Sequence, residues 1–389
     1  MSAEIASNKI YDPSFFSKLD MKKDVVNFAN GYVNLRTGVF KKRDPSDFFS
    51  KCLDYDYVET TVPEYTHKIQ TLVKNICNDD TVYNNFVLGW LGYCLTGETS
   101  EQKSLYIIGH SASNGKSTLS KIFETCFKCY CFKFHSDSLC EKNDKSHKYI
   151  ASTKGIRYVY IEELGRGKMN ESLYKDLVDG DKINNEVLFK TTEEIEILFK
   201  LNIISNHDPQ FSTDAGMRRR GLLMNFTNTF VEEDDYIPGV KGVYKKDKRL
   251  LNLFQNNDYK LAFFHILLPF AMKFYKSELF IPKCVKDQFK DLCGENDKMS
   301  AFIDSKLEKT GHVGDKMFKD ELLMMYNTHY KVNCNWTTIL SDVKRCGLNY
   351  DRAGYVVYGG MSQRGVITGI RARNNMNKDL DEISPWSLG

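Results

Sequence analysis

The sequence predicts an α/β protein built around a parallel sheet. Three observations carry that reading. Short apolar strands alternate with helix-period segments between residues 105 and 226. A Gly/Ser/Asn turn ending in Gly115-Lys116-Ser117-Thr118 joins the first of those strands to an amphipathic helix. The flanks differ in texture from this middle stretch. The expected order is a small mixed β/helical region over 1–100, a nucleotide-binding core over 101–230, a helical extension over 231–284 and a smaller unit over 285–389.

Each element follows from local pattern. Asn30-Gly31 and Thr37-Gly38 bracket Tyr32–Arg36, a small strand-turn unit. Ile69, Leu72, Val73, Ile76 and Cys77 recur at helical spacing, which predicts a helix with one buried face. Residues 86–95 are apolar nearly all round, as in a buried helix. Strands are expected at Leu105–Ile108, Ile156–Ile161, Leu201–Ser205 and Leu222–Phe226, and a helix with Leu119, Ile122, Phe123, Cys126 and Phe127 on its inner face. Residues 258–280 read as helix again, and no internal repeat is present.

Composition narrows the classes. With 389 residues, 42% hydrophobic and 27% charged, the chain has material for two or three packed domains. Lys+Arg exceeds Asp+Glu by 54 − 51 = +3, so any affinity for nucleic acid must come from local patches. The longest apolar run, Leu261–Met272, has twelve residues and holds His265 and Pro269, too short to span a bilayer. The opening residues lack a secretory pattern, and eleven cysteines point to reduced thiols, so an intracellular location and no membrane partner are expected. Eight prolines and no low-complexity tract argue against extensive disorder.

The chemistry begins at Gly109-His110-Ser111-Ala112-Ser113-Asn114-Gly115-Lys116-Ser117-Thr118. A phosphate cradle needs inward-pointing N–H groups, a helix N-terminus and a lysine reaching the β/γ-phosphates, with Ser117 supplying a hydroxyl to Mg²⁺. Five residues separate Gly109 from Gly115 where the usual pattern has four. Either the loop is one residue longer or His110 stands where glycine is expected.

Forty-six residues past Lys116, a hydrophobic strand ends in Glu162-Glu163. One carboxylate can hold Mg²⁺ and the other can orient an attacking water, and Glu162 is taken as the metal carboxylate. A later strand ends in Ser205-Asn206, an amide suited to sensing a γ-phosphate, ahead of Met217-Arg218-Arg219-Arg220. An arginine there can act as a finger on a neighbouring subunit's nucleotide.

Asn114-Gly115-Lys116-Ser117, Glu162-Glu163, Asp179-Gly180-Asp181, Ser205-Asn206-His207-Asp208-Pro209 and Asp214 with Arg219-Arg220 together resemble the superfamily 3 helicases. The similarity is to the poxvirus-type primase-helicase branch of large DNA viruses, phages and plasmids. The flanks resemble it too, in Asn30-Gly31, Leu35-Arg36-Thr37-Gly38, Asp44-Pro45, the stretch Lys51–Tyr57 and Gly92–Gly97.

The resemblance implies an ATP- and Mg²⁺-dependent ring, usually a hexamer, that moves on single-stranded DNA and opens forked duplex. It also points to a primase or polymerase as partner and, for a virus, to host cytoplasm or nucleus. It assigns Lys116 and Ser117 to phosphate and Mg²⁺, Glu162 and Glu163 to metal and water, Asn206 to the γ-phosphate, and Arg219, with Arg220 beside it, to the trans finger. Gly180 to about Glu194 corresponds to a pore hairpin, with Lys182 and Lys190 as DNA-backbone contacts. The closing unit is similar to a winged helix.

Between Val343 and Lys378 seven basic residues stand against one acid, interleaved with Tyr350, Tyr355 and Tyr358. Among them Lys344, Arg345, Arg364, Arg371 and Arg373 are expected to face nucleic acid. Cys126, Cys129, Cys131, His135 and Cys140 cluster in sequence but read as core thiols rather than a zinc site. Asp54-Tyr55-Asp56 reads as ordinary strand, and no primase catalysis is expected. Two rival readings are a nucleotide kinase, which needs an acceptor site and lid, and a DNA-binding scaffold whose long loop no longer turns over.

Overall fold

The computed structural model describes residues 15–109, 113–140, 146–164, 169–185, 193–207, 215–295, 298–358 and 361–373. They form two compact units, one ending at Lys290 and one beginning at Asp291.

The first unit opens with strands β1 (Val25–Phe28), β2 (Gly31–Asn34) and β3 (Phe40–Lys41), an antiparallel meander turned at Asn30-Gly31. Helix α1 (Pro63–Ile76) buries Ile69, Val73 and Ile76; α2 (Thr81–Leu95), capped by Asp80, is buried along residues 86–88 and 90–95. The central sheet then alternates with helices: β4 (Ser104–Ile108), α3 (Lys116–Cys126), β5 (Cys131–Phe134), β6 (Tyr158–Glu162), α4 (Glu171–Asp179), hairpin strands β7 (Lys182–Asn185) and β8 (Glu193–Glu196), β9 (Lys200–Ser205), α5 (Ala215–Arg220) and β10 (Gly221–Asn225).

The expected α/β class is what forms. Strand order is β10-β4-β9-β6-β5 and every pairing is parallel. Buried on both faces, these strands read as continuous apolar runs rather than alternating ones, which is why they stood out in sequence. A small parallel pair, β11 (Thr229–Val231) with β12 (Val243–Lys245), and the long helix α6 (Asn257–Lys276) follow, and a further helix spans Lys283–Glu295.

A hydrophobic core runs through this unit from β1 to α6, and other buried residues of the unit, Phe134, Ile161, Tyr174 and Ile203 among them, lie outside it. Phe28 meets Phe264 edge-on with 4.9 Å between ring centroids, and the Phe28 ring lies 5.4 Å from that of Tyr57. Trp90 Nε1 donates to Asn202 Oδ1 at 2.7 Å, tying α2 to β9. Buried Arg157 donates to the carbonyls of Val25, Leu95 and Lys22, and buried Lys200 to those of Thr96, Glu98 and Leu198. Two cations at the amino ends of β6 and β9 thus satisfy backbone acceptors of the preceding region.

The second unit contains α7 (Lys298–Lys306), β13 (Leu307–Lys309), β14 (Lys316–Phe318), α8 (Lys319–Tyr330), α9 (Trp336–Arg345), β15 (Asn349–Tyr358), β16 (Met361–Thr368) and β17 (Ile370–Ala372). Its sheets, β14-β16-β15 and β13-β17, are antiparallel. Its own core centres on Phe302, Leu322, Val343 and Ile367.

Candidate active site

Neighbouring parallel strands release their chains on the same edge of a sheet, where open α/β folds bind ligands. Here β4, β9 and β6 are adjacent, so the loop after β4, Asn206 after β9 and Glu163 after β6 converge.

Gly109 leaves β4 where no side chain fits: a Cβ there would stand 2.0 Å from Asn114 Nδ2 and 2.9 Å from the Phe226 carbonyl. Gly115 closes the loop at φ +86°, the left-handed region glycine enters without steric cost, and serves as N-cap of α3. That cap makes no side-chain hydrogen bond, so the first-turn N–H groups of α3, including those of Ser117 and Thr118, have no side-chain cap. Residues 110–112, with His110, lie outside the described residues.

Lys116 is buried, and its ammonium donates to the Gly109 carbonyl at 2.8 Å, Asn114 Oδ1 at 2.9 Å and Asn206 Oδ1 at 2.9 Å. Burial draws its pKa below the ordinary lysine value, and the negative Glu163 opposes that shift. Asn206 turns its other end to Glu163, donating from Nδ2 at 2.7 Å and from its backbone N–H at 2.9 Å to the same Oε1. Ser205 Oγ donates to Glu163 Oε2 at 3.1 Å. A cation, an amide and a carboxylate therefore stand in one hydrogen-bonded line.

The two acids divide. Glu162, still in β6, ion-pairs with Lys133 on β5. Glu163 has left the strand at φ +56°, a conformation disfavoured for a residue with a side chain, and its carboxylate turns to Asn206. Strand alternation sends adjacent side chains to opposite faces, so adjacency in sequence did not tell which acid joins the loop.

Arg219 and Arg220 sit at the other edge of the sheet. Gly221 pairs with Ser104 and Asn225 with Ile108, so the arginines lie beside the start of β4 while the loop leaves its end. Five strand residues correspond to roughly 16 Å. Arg220 is mostly buried and grips Asp179 with two nitrogens, one of them at 2.8 Å. Arg219 is exposed and donates to Gln102 Oε1 at 2.5 Å.

Of the basic residues expected to face nucleic acid, Lys182 is exposed on β7 and pairs with Glu194 across the hairpin at 2.8 Å. Lys190 lies outside the described residues, as do residues 208–214 and the side chain of Arg345. In the second unit Lys344 on α9 and Arg364 on β16 are exposed, and Arg364 sits opposite Tyr355. Arg371 pairs with Glu308 at 3.0 Å, and Arg373 donates to the Leu307 carbonyl at 2.8 Å.

Cys126 and Cys131 are buried in the core, where burial raises their thiols well above the ordinary range. His135 accepts from the Asp137 N–H at the start of a short turn.

Sequence reasoning missed the space beside the loop. A cleft of about 610 Å³ adjoins Ser113, Gly115 and Thr118 and is walled by Leu72 and Ile76 of α1 and by Phe230 of β11. The signal was present as helical periodicity in α1, but nothing in it announced that this helix lines the loop. A largely apolar cleft beside a phosphate cradle suits a flat ring carried on a phosphate chain.

The donor set at the convergence, a cradled lysine, a helix start carrying Ser117 and a facing carboxylate, fits a nucleotide phosphate with a hard divalent cation. Fold and site thus define an α/β protein with a phosphate-type loop at the carboxyl edge of a parallel sheet. Residues 1–81 match the family model D5 N terminal like. The chain is 28% identical over 335 residues to "Putative helicase L207/L206" of Acanthamoeba polyphaga mimivirus, covering 83% of this chain and 34% of that protein. It is 25% identical over 234 residues to "Putative helicase 184R" of Invertebrate iridescent virus 6, covering 57% and 24%. The chain is thus a relative of proteins named as helicases in large DNA viruses and spans about a third of the length of the mimivirus protein. Among solved structures it is similar to the NrS-1 C terminal region, with TM-score 0.48, 12% identity, and coverage of 92% of this chain and 84% of that one.

Proposed function

We propose that the chain is the motor of a superfamily 3 replication helicase: it hydrolyses ATP with Mg²⁺, assembles as a homo-hexameric ring and moves on single-stranded DNA to open a fork. The observation that carries this reading is the Lys116–Asn206–Glu163 line at the carboxyl edge of the sheet. Names of relatives and the D5 N terminal like segment support it.

In this reading Lys116 and the first-turn N–H groups of α3 hold the phosphates, and the apolar cleft at Ile76 and Phe230 takes the base. Glu163 accepts a proton from, and orients, the attacking water, while Asn206 holds that carboxylate in place and reaches the γ-phosphate. Ser117 would hold Mg²⁺, which neutralises phosphate charge, and Glu162 would join it through water on leaving its ion pair with Lys133. Arg219, about 16 Å from its own loop along β10, acts on a neighbour's nucleotide, and Arg220 braces it through Asp179. The hairpin with Lys182 and Lys190 tracks DNA in the channel. The second unit acts as a winged helix, with Lys344, Arg345 and Arg364 on duplex phosphates. The four-part division at 100, 230 and 284 belongs to the same reading.

The test is Mg²⁺-dependent ATP hydrolysis with and without single-stranded DNA, for wild type, Lys116→Ala and Arg219→Ala, alongside strand displacement from a forked duplex. DNA-stimulated turnover lost in both variants, and partly recovered when they are mixed, is the expected outcome. DNA binding without turnover in wild type would sink the motor and leave a scaffold.

A further inference from the structure

The three N-terminal strands carry a surface that the phosphate site does not use. Between Phe15 and Lys51 eight basic residues stand against four acids. Those acids are engaged locally. Asp20 is buried, and its carboxylate accepts from the Ser50 and Lys51 N–H groups at 2.8 and 3.0 Å. Asp24 pairs with Arg36 at 3.0 Å, Asp44 caps a short turn by accepting from the Ser46 N–H, and Asp47 pairs with Lys22. Lys41, Lys42 and Arg43 are exposed, and the last two donate to the neutral carbonyls of Asn30 and Ala29, which leave their charge uncancelled.

Aromatic rings are set among these cations. Tyr32 lies opposite Lys41 across β2 and β3, so both side chains stand on one face of the meander. The Tyr32 ring meets that of Phe49 edge-on at 5.4 Å, and Lys22 Nζ sits 5.7 and 5.5 Å from their centroids. Phe15 meets Phe48 at 5.9 Å, with Lys18 Nζ 5.7 Å from the Phe48 centroid. Phe15 is exposed and the other three rings are half-buried. Phe48 stands at φ +54°, a region that a bulky side chain rarely enters. Its carbonyl accepts from the N–H of Asp20, itself at φ +62°, so a costly backbone is fixed from two sides.

Rings held in place among cations suit one class of ligand. Unpaired bases stack on aromatic faces, and the backbone that links them needs positive charge spread along its path. A duplex keeps its base faces covered, and an acidic peptide offers charge without a row of flat rings.

We propose that Tyr32, Phe48 and Phe49, with Lys22 and Lys41, form a stacking platform for single-stranded DNA on the N-terminal strands. The choice of DNA rests on the helicase reading above; the platform itself needs neither nucleotide nor a second copy of the chain. It uses none of the residues of the hairpin at Lys182 and none of the second unit.

The experiment measures binding of fluorescent oligothymidylate, and of an abasic strand of equal length, to the full chain without nucleotide. Phe48→Asn removes the ring yet suits the left-handed backbone; Phe48→Tyr keeps the ring. Phe48→Asn is expected to weaken oligothymidylate binding about 10-fold, the scale of one lost base stack, and to leave abasic binding at the wild-type value. Phe48→Tyr binds both strands as wild type does. Lys41→Gln weakens both and lowers the slope of log affinity against log salt by about 0.7. A strand carrying iodouracil should crosslink on irradiation to Tyr32, Phe48 or Phe49.

Wild-type oligothymidylate binding in Phe48→Asn overturns the platform. So does an equal loss on thymidylate and abasic strands, which would make the ring a packing group. So do crosslinks that fall only on other parts of the chain. If wild type binds no single strand at all, the helicase reading falls with the platform. If wild type binds and Phe48→Asn binds equally well, only the platform falls.

Discussion

Asn206 joins Lys116 to Glu163 through a single amide, its oxygen toward the cation and its nitrogen toward the anion. Asn206→Asp keeps the shape but replaces the donor with a charge facing Glu163. Turnover is expected to fall by about 10²–10³-fold with nucleotide affinity little changed, read from kcat beside equilibrium binding. Glu163→Gln should lose turnover comparably while binding nucleotide as well as wild type. Lys200 gives a different readout. Burial draws its pKa down to about 7, from an ordinary value of 10.5. Between those values the unfolded chain holds more protons than the folded one, so stability rises with pH across that window; below about 7 both states are charged and this group adds no further slope. Urea midpoints at pH 6.5 and pH 9 should show the rise in wild type and lose it in Lys200→Met.

At the scale of the elements, the turn into α3 is the most constrained feature. Gly115→Ala would hold alanine at φ +86° with its Cβ 3.0 Å from Ile76 and 3.2 Å from Phe230. A loss of about 1–2 kcal/mol in stability is expected, with weakened nucleotide binding, measured by thermal melts with and without ATP. This turn was legible in the sequence because Gly-Lys-Ser between a strand and a helix is a local pattern. The strand ends at Asn206 and Glu163 were legible for the same reason. The division of labour between Glu162 and Glu163 was not, since it depends on where β6 stops. Nor was the Arg220–Asp179 pair, which links residues 41 apart. Leu72 and Phe230 come to the loop from opposite sides in sequence, and periodicity records burial without naming the neighbour.

For the whole molecule, the N-terminal strands share a core with part of the central sheet, and the second unit has its own. Phe264→Ala, which empties a ring from between Phe28 and Phe127, should cost about 3–5 kcal/mol and lower the melting of the N-terminal strands and the central sheet together. Hydrogen exchange would show the paired loss of protection, while amides near Phe302 and Ile367 keep theirs. Charge reversal at Lys344 and Arg364 should weaken duplex binding and flatten its dependence on salt, without altering ATP turnover in the absence of DNA.

The shared core also sets a timetable. Phe28 finds its partner at Phe264, 236 residues later in the chain. A ribosome adding about 5–20 residues per second needs on the order of 10–50 s to supply that ring. Through that interval β1 and β2 have been made but their covering helix has not, so their apolar faces stay open to other chains. A fragment truncated before residue 257 would remain permanently at this stage, and the nascent protein is therefore one that chaperones should hold until α6 emerges.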